Sequence, residues 1–217
     1  MNVLELFAGS RSIGKVGDEL GMNVFSVDWE KYKDIDLCID VADLKKEDVP
    51  FVPDVVWASP DCTTYTIAAI STHRNNTEPK SEYAKKCDIT NQHFISLIKE
   101  WLDINPNMVF FIENPRGMLR KMPWMQEFKR HTVWYCVYGD ERAKPTDIWT
   151  NSDTWIPRPV CHNGNKECHH APAPRGSKTG TQGRKGSYER SKIPEELCRE
   201  VLLSTIKNNV NEYTKFI

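Results

Sequence analysis

The stretch PDVVWASPDCTTYT, residues 53–66, decides how this chain reads. Val55 to Ala58 is a short apolar run of the kind that forms a strand buried on both faces. Ser59-Pro60 stops it, because proline has no N–H to give to a ladder. Cys62 follows at once. In an open α/β sheet, ligands bind in the crevice beyond the carboxyl ends of the parallel strands, so a thiol placed there is a candidate nucleophile. A cysteine standing alone is more often a small core residue, so its role depends on what the neighbouring strand ends carry.

Toward the amino terminus, Val3 to Phe7 is a second β-like run, closed by Ala8-Gly9-Ser10, and a helix is expected from Ser10 or Ser12 to about Gly21. A strand, a glycine turn and a helix together aim backbone N–H groups at a ligand, and Gly9 permits close approach. Asn23 to Val27 reads as the next strand, ended by Asp28, where nucleotide-binding α/β units place a carboxylate for ribose hydroxyls. Leu37 to Val41 is a further apolar run, and it carries Asp40.

Toward the carboxyl terminus, residues 63–89 are polar and aperiodic, and are expected to form a long mobile loop with Arg74, Lys80, Lys85 and Lys86. Phe94, Leu97, Ile98, Trp101 and Leu102 then recur at helical spacing over Thr90 to Asp103. Met108 to Ile112 is the next buried strand and delivers Glu113-Asn114-Pro115-Arg116-Gly117 at its end. Residues 132–138 and 147–150 read as further strands. Pro194-Glu195-Glu196 opens a final helix, with proline and acids where the helix dipole favours them.

The 217 residues carry a net charge of −1, with 39% hydrophobic and 27% charged side chains, which describes one sizeable domain with an ordinary core. No global basic field announces a nucleic-acid partner, so any such partner must meet a local patch. The opening apolar run is too short for a signal peptide, and no run approaches a membrane span, so the expectation is a cytoplasmic monomer with no membrane partner. Seven cysteines, an odd number, argue for thiols, metal or catalysis rather than a disulfide framework.

Phe7-Ala8-Gly9, Asp28, Asp40, Ser59-Pro60-Asp61-Cys62, Glu113-Asn114 and Arg142-Ala143-Lys144 stand in one order at successive strand ends. This order resembles the DNA cytosine-5 methyltransferase family, in a small, single-domain, phage-like form with a reduced target-recognition region. LELFAG is similar to that family's S-adenosylmethionine (AdoMet) motif, SPDCTTYT to its nucleophile loop and ENPRG to its Glu-Asn-Val motif. YGDERAK looks like its Tyr-Gly segment with the Gln-x-Arg-x-Arg motif, and IPEEL like its last motif.

The resemblance implies an α/β fold, the Rossmann-like AdoMet-dependent methyltransferase fold, with a mostly parallel sheet and helices on both faces. It divides the chain into a catalytic part (1–150), a reduced DNA-recognition loop region (151–192) and a helix returning to the catalytic part (193–217). AdoMet is expected on Leu6, Phe7, Ala8, Gly9, Ser10, Ile13, Asp28, Trp29, Asp40, Val41, Ser59 and Pro60. Cys62 is the implied nucleophile and Glu113 the acid on cytosine ring nitrogen 3. Asn114 would fix the geometry of Glu113, and Arg142 would engage the base and lower the thiol pKa.

The chemistry explains the grouping. Carbon 5 of cytosine does not attack a methyl sulfonium unaided, but thiolate addition at carbon 6 turns the ring into a nucleophilic enamine. The target atom is inaccessible inside a duplex, so double-stranded DNA must give up the base by flipping. The chain departs from the family pattern at Pro115, Lys144, Arg190-Ser191 and Asp61, whose carboxylate beside the thiol raises its pKa. Three other classes share parts of the pattern. An RNA cytosine-5 methyltransferase uses the same chemistry, an inactive DNA-binding relative keeps the fold, and an exocyclic amino methyltransferase wants an aromatic where Cys62 stands.

After Asn151 the composition shifts to Pro, Gly, Cys and His. Cys161, Cys168 and His169, with His162 or His170 as a fourth ligand, are expected to form part of a structural zinc site, because a loop-rich segment without a core needs a staple. The reading without metal is an incidental cluster. Arg175, Lys178, Arg184 and Lys185, interleaved with glycines, suit phosphate contact, and Lys144 joins them as a nucleic-acid residue. A region this short predicts a recognition context on the order of two base pairs and strongly salt-dependent binding.

Overall fold

The computed structural model describes residues 1–172 and 186–213. In chain order the elements are β1 (Asn2–Leu6), α1 (Ser12–Glu19), β2 (Asn23–Asp28), β3 (Leu37–Cys38), β4 (Val55–Ala58), α2 (Ile70–His73), β5 (Arg74–Asn75) and β6 (Glu78–Pro79). Then come α3 (Glu82–Ile104), β7 (Val109–Pro115), β8 (Arg130–Trp134), β9 (Pro145–Thr150), α4 (Ser187–Ser191) and α5 (Glu195–Tyr213). Seven strands form one sheet in the order β3-β2-β1-β4-β7-β9-β8. The pairs from β3 to β7 are parallel, and β9 runs antiparallel to both β7 and β8.

Both faces of the central strands are covered, which is why their sequences are apolar runs and not alternations. Leu4, Leu6, Val56, Ala58, Phe110 and Ile112 pack with Phe94, Leu97, Ile98 and Trp101 of α3 on one face. Val3, Val55, Trp57, Val109 and Phe111 pack with Ile13 and Val16 of α1 and with Leu197, Cys198, Val201 and Leu202 of α5 on the other. The fold is therefore the Rossmann-like, mostly parallel α/β sheet with helices on both faces. No helix among the described residues is long and apolar enough to cross a membrane.

The stretch 63–89 differs from its expectation as a mobile loop. It contains α2, the β5–β6 hairpin and the first turns of α3, which Ser81 caps by accepting a hydrogen bond from the Ala84 N–H at 3.1 Å. Asp88, Thr90 and Asn91 are buried on α3, so the inward face there is polar and hides the helical period. Arg74, read as a loop cation, is 3% exposed and ion-paired to Asp88. The strand expected over 132–138 stops at Trp134, and Tyr135–Tyr138 turn in a short 3-10 helix closed by Gly139 at φ 84°.

Candidate active site

Strand register brings the expected residues to one edge. Leu6 pairs with Val27 and with Ala58, and Ala58 pairs with Ile112, so the carboxyl ends of β1, β2, β4 and β7 lie in one row. The next residues along are Phe7-Ala8-Gly9, Asp28, Ser59-Pro60 and Glu113-Asn114. Glu113 and Asn114 remain in strand, because β7 outlasts its parallel partner and continues against β9, where they face Ile148 and Asp147.

The glycine turn is built on unusual backbone. Phe7 at φ 56°, Gly9 at φ 48° and Arg11 at φ 53° are all left-handed, a conformation that costs an L-residue roughly 1–2 kcal/mol. Buried polar contacts hold it. The Glu5 carboxylate accepts from the Ile13 N–H at 3.0 Å and the Ser26 hydroxyl at 2.9 Å, and Arg11 Nε donates to the Ser26 oxygen at 2.9 Å. Burial pushes Glu5 up to about 7 against those hydrogen bonds. A Cβ on Gly14 would lie 2.7 Å from Glu5 Oε2, so any larger residue beneath the turn must displace the Glu5 carboxyl and Arg11. Sequence reasoning missed Glu5 and Arg11, although a lone acid inside the run LEL is a signal of a buried polar contact.

Asp28 accepts from the Gly9 and Glu30 N–H groups, each at 2.9 Å, and burial pushes its carboxyl up against them. Its carboxylate keeps some spare acceptor capacity, and Trp29 beside it is 70% exposed. Asp40 accepts from the Ala42 N–H at 3.0 Å and pairs with Lys86 at 2.7 Å; burial opposes its charge, but Lys86 holds it below the usual range. Phe7 meets Phe94 edge-on at 5.5 Å, Leu6 and Val41 are core residues, Ser10 shares a hydrogen bond with Ser12, and Ser59 accepts from the Trp57 indole at 2.8 Å. Two carboxylates with spare acceptor capacity and an exposed indole make a donor set that fits an adenosine bearing hydroxyls and a flat base.

Cys62 stands in the loop after β4, and the residues behind it are anchored. Arg74 Nε donates to the Thr64 carbonyl at 2.9 Å, and the Tyr65 hydroxyl donates to Asp88 at 2.6 Å and accepts from Asn91 at 2.7 Å. The Met118 N–H donates to the Tyr65 carbonyl at 2.7 Å, and a Cβ on Gly117 would lie 2.4 Å from that same oxygen. Burial pushes the Cys62 thiol up to about 11; Lys144 opposes the shift, and Asp61 and Glu113 add to it. Asp61 is turned to the Thr63 N–H and the Tyr83 hydroxyl.

Opposite the thiol, Glu113 accepts from the Tyr135 hydroxyl at 2.8 Å, and Lys144 Nζ lies 4.0 Å from the same Glu113 oxygen. Lys144 has φ 25°, and its ammonium sits 4.5 Å over the Tyr135 ring. Burial pushes that ammonium down, against the charge of Glu113. Asn114 donates to the Pro60 carbonyl at 2.8 Å and leaves its own buried Oδ1 without a partner. Arg142 borders this group, its guanidinium 5.6 Å from the centre of the Tyr135 ring, but its donors are engaged elsewhere. It pairs with Asp140 and donates to the Arg190 and Lys192 carbonyls at 3.0 Å each, so its guanidinium ties the chain together at 1% exposure. Tyr135 carried no sequence signal, since it sits in a run that reads as ordinary strand.

Between β9 and α4 the described residues form neither helix nor strand. Cys161 and Cys168 do come together there, but with Cys136 and His170, all four offering ligand atoms within 4.8 Å of one another. His169 points away; it is exposed, and its Nε2 lies 3.0 Å from the Asp140 carbonyl oxygen. Neighbouring side chains in an irregular stretch diverge, which sends His170 inward and His169 out. His162 is exposed as well. Arg175, Lys178, Arg184 and Lys185 lie outside the described residues.

Comparison with known proteins gives one relative in sequence and a fold neighbour. The chain is 26% identical over 218 residues, 93% of its own length and 99% of the relative's, to a probable DNA (cytosine-5)-methyltransferase of Frog virus 3. The structure of the methyltransferase EhMeth of Entamoeba histolytica superposes with a TM-score of 0.52 at 14% identity, covering 74% of this chain and 56% of that one. This chain thus spans a little over half of that fold neighbour, and no family model matches it. In the order of its motifs, in its fold and along most of its length, this chain resembles the DNA cytosine-5 methyltransferases.

Proposed function

We propose that this protein transfers the methyl group of AdoMet to carbon 5 of cytosine in DNA. The observation that carries the reading is the meeting of Cys62 and Glu113, from the carboxyl ends of β4 and β7, with Lys144 at the amino end of antiparallel β9, and with the Phe7–Ile13 turn, Asp28 and Asp40 along the same edge. AdoMet, held by that turn with Asp28 and Trp29 beside it and Asp40 beyond, supplies an electrophilic methyl group. The Cys62 thiolate adds to carbon 6 of a flipped cytosine, and the electron pair of the 5,6 double bond moves to carbon 5. Glu113 bonds to ring nitrogen 3 as charge builds there, with Tyr135 and Lys144 fixing its carboxyl. After methylation the proton on carbon 5 passes to water, and the electron pair it leaves re-forms the 5,6 double bond as the sulfur–carbon bond breaks and the Cys62 thiolate departs.

Lys144 is a second candidate for the role that the resemblance implied for Arg142, because its charge opposes the burial of the thiol and lies 4.0 Å from the acid, while the donors of Arg142 are held by Asp140 and two carbonyls. The test is covalent capture. Duplex DNA containing 5-fluorocytosine should form a denaturation-resistant adduct with the wild-type chain in the presence of AdoMet, and none with Cys62→Ser. Capture of single-stranded or structured RNA in place of the duplex would move the substrate to RNA, and methylation at wild-type rate by Cys62→Ser would end the covalent reading.

A further inference from the structure

Cys136, Cys161, Cys168 and His170 come from three separate places in the sequence, yet their ligand atoms all lie within 4.8 Å of one another. A tetrahedral zinc ion with thiolate and imidazole ligands holds those atoms about 3.5 to 3.8 Å apart. The Cys161 sulfur is already 3.8 Å from His170 Nδ1. His170 is 3% exposed, its Nε2 has no hydrogen-bond partner, and its other ring nitrogen faces sulfur. One buried ring nitrogen is thus left without a polar partner, which is costly, and a metal bound at that nitrogen relieves it. Among the described residues the local core is small: Trp134, Cys136, Ala143 and Cys161, with Val137 and Cys168 against them.

We propose that these four side chains bind one zinc ion as a closed structural site. Three thiolates and one imidazole suit zinc over the hard cations, and with all four ligands from protein no position is left for chemistry. Binding displaces three thiol protons, which pass to solvent, and no electron is transferred. The ion staples the residues after Cys161 to the turn that follows β8. The same segment grips the chain next to the catalytic edge, with His169 Nε2 against the Asp140 carbonyl at 3.0 Å and the Ala171 N–H donating to the Glu141 carbonyl at 3.2 Å. Arg142 and Lys144 follow directly, so the zinc would hold the stretch that delivers the active-site cation; this last link rests on the proposed function, while the metal site does not.

The full-length chain, purified under reducing conditions without chelator, is expected to contain one zinc per molecule by elemental analysis. After removal of the metal, Co2+ alone should restore a tetrahedral thiolate spectrum at one equivalent, and Zn2+ should bleach it. Cys168→Ser should lose that spectrum, whereas Cys38→Ser, altered at an exposed thiol outside the group, should keep it. A wild-type chain that arrives without zinc and takes up no cobalt overturns the proposal, as does a disulfide among the three thiols in the purified protein. These readouts need no methyl transfer, so failure of the proposed activity leaves them standing.

Discussion

Arg142 and Lys144 are two cations on one short stretch, and the structure uses them in opposite ways. Arg142 carries its charge into an almost complete set of partners, the Asp140 carboxylate and the carbonyls of Arg190 and Lys192. Lys144 has a 3.3 Å contact to the Arg190 carbonyl and otherwise leans over Tyr135 toward Glu113 and Cys62. A guanidinium has five donors in a rigid fork and suits a crowded clamp; an ammonium is a compact charge on a flexible stem and suits a site whose other occupant comes and goes. The lesson is that a motif position does not fix a role. The partners already present decide whether a cation is free for chemistry.

The sharpest way to break this contrast is Arg142→Met. It leaves the Asp140 carboxylate buried beside a missing partner, and should cost about 3–5 kcal/mol of unfolding free energy in urea denaturation. A variant that kept its stability and lost only substrate binding would return Arg142 to the active site. Lys144→Met should do the reverse, with a folded, stable protein whose kcat falls by about 10²-fold, equivalent to about 2.7 kcal/mol. Its Cys62 alkylation midpoint should rise relative to wild type, because the cation opposing the burial of the thiol is gone.

Smaller effects refine the picture. Tyr135→Phe removes one hydrogen bond to Glu113, and should slow methylation by a modest factor corresponding to about 1 kcal/mol, with Lys144 still in place. Asp61→Asn should move the Cys62 midpoint down from about 11, opposite in sign to Lys144→Met, since a carboxylate that raises the thiol is removed. In all variants that keep Cys62 the rate should climb with pH toward that midpoint, because the thiolate is the nucleophile. A rate independent of pH across that range would place a different group at the reacting carbon.

The catalytic edge was legible where local rules dominate. Parallel strands buried on both faces show as apolar runs, so β1, β4 and β7 could be placed, and with them the row carrying Gly9, Cys62 and Glu113. The polar stretch after Cys62 was not legible, because Arg74, Asp88 and Asn91 are buried as partners of one another and of Tyr65, and each alone reads as surface. Cys136 was overlooked as a metal ligand because nothing in its spacing links it to Cys161 and Cys168; only the turn after β8 brings it there. The nearness of Lys144 to Glu113 was hidden for the same reason, since it is set by how β9 pairs with β7.

The close approach at Gly117 has a consequence for mutational tolerance. Its missing side chain lets the Met118 N–H reach the Tyr65 carbonyl, so the loop carrying Cys62 and the strand carrying Glu113 are seated on each other. Even a methyl group there must push backbone and not a flexible side chain, so Cys62 and Glu113 would be displaced together. In a library of variants that glycine should be among the least tolerant positions, because any side chain there must push the backbone of Tyr65, itself a buried core residue.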